Sequence, residues 1–295
     1  MAATSTVEQQ LALITRGLTG LDGIAAIRDI LAAGKVAKGF WAHIAYFVPL
    51  LKLADFVKAG LDVTVLFCDL YAFLVNYKHP LEVVAHRTAY YKFLVRGVLH
   101  ILGVPDDKVH FVEGSSYELS KEFTLDNYKL SVLTDEQDVR NTGDEYRYAT
   151  KLSVLPQLGY RKRAHFMNPM VPGLSGSKMS SSVPDSKIEF LDDPETINRK
   201  VFNAPCEDGK VKDNGSIISS YTKAGVLEIK LGGGELNSYQ SYEEIELDFA
   251  QGKLSSSTLK QAVAVALCEI LAPLRQIYAK NKEWQFVENL AYPEH

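Results

Sequence analysis

The chain has 295 residues, 46% of them hydrophobic and 23% charged, which suits a core domain of about 150 to 200 residues plus a smaller one. A formal net charge of −4 excludes sequence-independent coating of nucleic acid, since that affinity comes from phosphate neutralisation by Lys and Arg; only a local basic patch could bind RNA. Cys68, Cys206 and Cys268 lack C-x-x-C spacing, the first residues lack a leader pattern, and no run of about 18 apolar residues occurs, so a soluble cytoplasmic protein with no membrane, metal site or disulfide framework is expected.

Residues 7–33 read as helical, with Leu11, Ile14, Leu18 and Leu21 near a 3.6-residue period and Gly34 as the stop. A short strand, Gly39-Phe40-Trp41, runs into a helix over "AHIAYFVPLLKLADFVKAG". There Tyr46, Leu50, Leu53 and Val57 share a face, and Pro49 falls in an early turn that tolerates a missing N–H. "DVTVLFCDL" has the apolar run of a buried parallel strand, residues 81–102 form another helix, and "KVHFVEG" is a third strand. "EYRYATKLSVLPQLGYRKRAHFMNPM" reads as a helix, a loop and a strand around His165. Strands alternating with helices predict an α/β, Rossmann-like, doubly wound parallel sheet that takes its ligands at the carboxyl ends of the strands.

After "SKIEFLDDPETINRK" the character changes to charged helical segments, a break at Gly232-Gly233-Gly234, and a final amphipathic helix. That helix runs from Leu259 through Val263, Leu267, Ile270 and Leu274 to Ile277. The expected division is a Rossmann-like domain over 1–187 and a C-terminal helical domain over 188–295.

"GLSGSKMSSSVPDSK", residues 173–187, has the composition of an anion-holding loop. Gly173, Ser175, Gly176 and Ser177 let backbone N–H groups approach an oxyanion, Lys178 brings a mobile charge, and Ser180, Ser181 and Ser182 offer hydroxyl donors. Taken alone, such a loop is more often a solvated turn.

Its surroundings are more specific. Residues 165–209, "HFMNPMVPGLSGSKMSSSVPDSKIEFLDDPETINRKVFNAPCEDG", resemble the segment carrying the KMSKS signature in eukaryotic and archaeal tyrosyl-tRNA synthetases, a class I family. His43-Ile44-Ala45-Tyr46 resembles that family's variant of the HIGH signature, and "GSSYELSKEFTLDNYKLS" and "LKQAVAVALCEILAPLRQIY" are further matches in the family's order. The resemblance implies a class I synthetase fold whose helical domain binds the anticodon. It also implies that His43 and Lys178 stabilise charge on ATP while a carboxylate attacks, with Ser180 and Ser181 facing the nucleotide or the tRNA 3′ end.

The chain also departs from that pattern. The family has a Gly-Thr-Ala-x-Thr-Gly type loop before its HIGH signature, whereas here Trp41 is followed at once by Ala42-His43. The family's segment with a Tyr-Pro, a Gln, an Asp and a Gly-Gly-x-Asp-Gln run, which holds the tyrosine and helps build the dimer, has no counterpart between "LTDEQDVRNTGDE" and "YRYATKLSVLPQLGYRKR". Phe40 stands for a Tyr, Tyr71 for a His, Val75 for an Asp and Glu118 for a Gln. A pocket that loses hydrogen-bond partners for a phenol loses selectivity for it. A carboxylate at Glu118 would suit a cationic, arginine-like side chain.

These departures fit either an incomplete version of a working synthetase or a shortened paralogue with changed chemistry, and the point changes at Phe40, Tyr71, Val75 and Glu118 tip the reading towards the paralogue. The reading they favour is a tRNA-dependent aminoacyl transferase, acting as cyclodipeptide synthases do on charged tRNAs without ATP. His43, Lys178 and Glu118 are its candidate catalytic residues, and Phe40, Asp69, Tyr71 and Glu118 its pocket. No cofactor is then required. The alternative is a tyrosine–tRNA ligase using ATP and Mg, supported by the intact Lys178-Met179-Ser180-Ser181-Ser182, and a second alternative is a catalytically silent tRNA-binding protein. In each case the partner is tRNA or aminoacyl-tRNA, gripped in part by Arg161-Lys162-Arg163, with a homodimer allowed.

Overall fold

The structure, a computed structural model, describes residues 6–22, 24, 27–28, 37–39, 47–75, 79–133, 155–160, 164–168, 173–174, 187–211, 227–230 and 236–293. The first helix, α1 (Val7–Thr15), starts at a capping box: Thr6 Oγ1 accepts from Gln9 N at 3.3 Å, and Gln9 Oε1 accepts from Thr6 N at 2.9 Å. Leu11 and Ile14 are its buried residues.

The predicted helix over 7–33 is corrected here. Helix α1 stops at Thr15, Gly17 takes a left-handed φ of +66°, and β1 (Gly20–Asp22) pairs antiparallel with β5 (His165–Met167). Leu21 belongs to that strand, opposite Phe166. A partner so far along the chain overrides a local helical period.

Strands β2 (Ala37–Gly39), β3 (Val63–Phe67) and β4 (Val109–Glu113) form a parallel sheet in that order. Of the predicted Gly39-Phe40-Trp41 strand, only Gly39 falls among the described residues. Four of the five β3 residues, Val63, Thr64, Val65 and Phe67, are buried, as a strand covered on both faces requires. Helix α2 (Phe47–Lys58) links β2 to β3, with Leu50 and Leu53 buried and Pro49 in its first turn. Helices α3 (Asp69–Val75) and α4 (Leu81–Ile101) link β3 to β4, and α4 buries Leu94, Val95, Val98 and Leu99. Helix α5 (Lys121–Leu133) follows β4.

Towards the C-terminus come α6 (Pro194–Asn203), a β6 (Leu227–Lys230) and β7 (Leu236–Tyr239) antiparallel pair, α7 (Tyr242–Ala250), α8 (Ser256–Lys280) and α9 (Lys282–Ala291). By length and composition α8 could cross a membrane. Here Leu259, Val263, Leu267, Leu271 and Leu274 are buried along it, and it packs on α6, β6, α9 and α4. Helix α9 packs on α4 as well, bringing the end of the chain against the sheet's helical cover.

Candidate functional site

Strands β3 and β4 end in step, with Phe67 opposite Glu113, so the residues that follow them emerge side by side at the carboxyl edge of the sheet. That is where a parallel α/β sheet takes its ligands. Cys68 and Asp69 leave β3, and Gly114, Ser115, Tyr117 and Glu118 leave β4.

Asp69 joins the two strand ends. Its Oδ1 accepts from Leu70 N at 3.0 Å, at the start of α3, and from Ser115 N at 2.9 Å, just beyond β4. The chain after β4 is tightly wound: Tyr117 N and Glu118 N both donate to Gly114 O, at 3.1 and 2.8 Å, and Ser116 Oγ donates to Glu113 O at 2.6 Å. This winding turns the Glu118 side chain back over Gly114. A Cβ on Gly114 would stand 2.6 Å from Glu118 Oε1 and 2.9 Å from Asp69 Oδ1, so two carboxyl groups converge on one bare backbone position.

Burial first, and then the nearby Asp69 charge, raise the Glu118 carboxyl above the ordinary range, while a hydrogen bond with Tyr117 works against them. The Tyr117 hydroxyl and the Cys68 thiol are also raised, each by burial first and the Glu118 charge second. Among the described residues no ion pair engages Asp69 or Glu118, and Lys92 on α4 pairs instead with Glu113 at the end of β4 and lies 6.0 Å over the Phe67 ring. Among the described residues no group of three His, Cys, Asp or Glu side chains could hold a metal.

Of the predicted pocket residues, the structure brings Asp69 and Glu118 together, and Tyr71 lies two residues beyond Asp69 on α3, 43% exposed. Phe40, His43, Lys178, Ser180, Ser181 and Arg161-Lys162-Arg163 lie outside the described residues, as does the side chain of Val75. Gly114, Ser115 and Tyr117 were missed as site residues. The available signal was their position just after an apolar strand, the same cue that marks Asp69.

Residues 37–155 and 135–272 match the model of the family "tRNA synthetases class I (W and Y)". The cytoplasmic tyrosine–tRNA ligase of Saccharomyces cerevisiae is 37% identical, covering 99% of this chain and 90% of that protein. That alignment runs over 354 positions whereas this chain has 295 residues, so the yeast protein carries residues with no counterpart here. The zebrafish (Danio rerio) cytoplasmic tyrosine–tRNA ligase is 36% identical over 97% of this chain, which spans 64% of that longer relative. Among solved structures, the tyrosyl-tRNA synthetase of Aeropyrum pernix superposes with a TM-score of 0.85 at 23% identity, over 98% of this chain and 99% of that one. The Archaeoglobus fulgidus enzyme, solved with L-tyrosine, gives 0.80 at 26% identity, over 92% and 99%. A parallel sheet followed by helices, matched over nearly the whole chain at this level of identity, has one family assignment: the chain belongs to the tyrosyl-tRNA synthetases, within the class I tRNA synthetases.

Proposed function

We propose that this chain is a tyrosine–tRNA ligase, which activates tyrosine with ATP and passes the tyrosyl group to tRNA. The observation that supports it best is the 37% identity to the yeast cytoplasmic ligase, spread over 99% of this chain and 90% of that protein. The relatives described above support the ligase; none of them supports the aminoacyl transferase that the departures from the family pattern suggested.

In this reading the tyrosine carboxylate attacks the α-phosphorus of ATP, pyrophosphate leaves in line, and the tRNA 3′-terminal hydroxyl then takes the tyrosyl group from the adenylate with release of AMP. Little covalent work falls to the protein, whose part is positioning and charge stabilisation. His43 and Lys178 meet the charge on the phosphates, Ser180 and Ser181 hold phosphate oxygens, and Asp69 and Glu118 line the amino acid's side of the crevice. Mg accompanies the ATP as its counter-ion. The partner is tRNA, with a second copy of the chain as the expected assembly.

A second reading, the aminoacyl transferase, rests only on the sequence's departures from the family pattern, among them the lack of glycines between Trp41 and His43. Tyrosine-dependent exchange of pyrophosphate into ATP separates the two. Exchange together with charging of tRNA establishes the ligase. Diketopiperazines formed from supplied charged tRNAs without ATP, with no exchange, would replace it by the transferase.

A further inference from the structure

We propose that Glu118 is a substrate-binding residue that acts as the proton-carrying half of a carboxyl pair with Asp69. With its proton, it presents a hydrogen-bond donor to an oxygen of the bound amino acid. Without it, the pair sets a second negative charge beside the substrate's own carboxylate. The proposal rests on the ligase reading and adds to it the group whose proton decides how well an amino acid with a neutral side chain is held.

The geometry makes the two carboxyls unequal. Asp69 Oδ1 is occupied, since it accepts from two backbone amides on two different strand ends and can act there only as an acceptor. The Glu118 carboxyl receives no backbone amide among the described residues; its one described partner is the Tyr117 hydroxyl. Both carboxyls press on the same point above Gly114, within 3 Å of where a Cβ would be, so the Asp69 charge bears on Glu118, which has no backbone amide to hold it ionised, and Glu118 is the side chain that carries the proton. The groups facing Glu118 reinforce this. Cys68 and Asp69 come from the β3 end, Glu113 and Tyr117 flank it in its own segment, and Lys92, from α4, is taken up by Glu113. None of these supplies Glu118 with an uncommitted positive charge. The pair also stands at the edge where such a sheet takes ligands, and the Archaeoglobus fulgidus relative was solved with L-tyrosine.

The sign follows from the raised carboxyl. The protonated form persists above the ordinary carboxylate range, so tyrosine is held best at the acid end and its binding weakens as pH rises through the Glu118 midpoint. Glu118→Gln keeps a donor and an acceptor at all pH values and removes the titration. KM for tyrosine in pyrophosphate exchange, measured from acid to alkaline pH in both proteins, is the test. In the wild type KM should rise by up to about tenfold per pH unit beyond the midpoint, and in Glu118→Gln that rise should be lost. Other titrating groups are common to both proteins and cancel in the comparison. Coincident KM profiles would overturn the proposal.

The carboxyl carbon of Glu118, followed by NMR in 13C-labelled protein and assigned by its loss in Glu118→Gln, gives a readout independent of activity. A midpoint above that of an ordinary glutamate supports the pair, and an ordinary midpoint overturns it. If neither protein exchanges pyrophosphate at any pH, the ligase reading fails, and the NMR titration alone then decides whether the carboxyl pair exists.

Discussion

Gly114 is a position where crowding, not backbone conformation, demands the absence of a side chain. An alanine methyl would lie 2.6 Å from Glu118 Oε1, which a flexible glutamate can vacate, and 2.9 Å from Asp69 Oδ1, which two amides hold in place. Gly114→Ala should therefore break the Asp69 to Ser115 bridge while leaving the sheet intact. A charge-assisted hydrogen bond of this kind contributes about 1.5–3 kcal/mol, so a rise in KM for tyrosine of about tenfold is expected in pyrophosphate exchange, with a smaller change in thermal midpoint. An unchanged KM would show that the substrate does not use this edge of the sheet. At this scale the sequence was only half informative. Asp69 and Glu118 stood out through resemblance and residue type. The bridge between Asp69 and Ser115 spans 46 positions and depends on two strands ending in step, which no local pattern records.

Elements with a strong period of their own were legible. Helix α4 over Leu81–Ile101, the buried strand β3 and the seam of α8 follow patterns that burial enforces locally, and β4 is legible through Val109, Phe111 and Val112. The extended helix expected over 7–33 was not, because β1 exists through pairing with β5. Joints between helices are set by single capping residues, and Asn281 serves two helices at once. Its N–H closes the end of α8 by donating to Tyr278 O at 3.0 Å, and its side-chain oxygen accepts from Trp284 N at 2.9 Å to start α9. Replacing it with alanine leaves the N–H and removes the side-chain acceptor. Asn281→Ala should cost about 1 kcal/mol in urea unfolding, with the first losses in hydrogen-exchange protection falling in α9. Loss spread evenly over the chain would argue that the cap does not set this corner.

Across the whole molecule, the end of the chain is fastened to the helix that covers the sheet. Arg87 Nε donates to Ala291 O at 3.1 Å, the guanidinium lies 4.9 Å over the Tyr292 ring, and the Tyr292 and Tyr91 hydroxyls meet at 3.1 Å. Trp284 fills the centre of this joint at 1% exposure, stacked on Phe93 and edge-on to Tyr90 and Tyr278. Close approach of the helices is possible because α4 has Gly97 there: a Cβ on it would come within 2.7 Å of Leu274 and 3.5 Å of Trp284. None of this could be read from the sequence, since the partners on α4 and at the end of α9 lie 201 and 204 positions apart in the chain. The Trp284 indole N–H finds no hydrogen-bond partner among the described residues, so the ring contributes through packing alone. That separates two substitutions. Trp284→Ala empties the joint and should cost about 3–5 kcal/mol of unfolding free energy, whereas Trp284→Phe keeps the stacking, loses no hydrogen bond and should cost much less. Equal losses in urea denaturation would mean that the indole nitrogen has a role that its surroundings do not show. The expected inequality would identify ring volume as what holds the C-terminal helices against the α/β sheet.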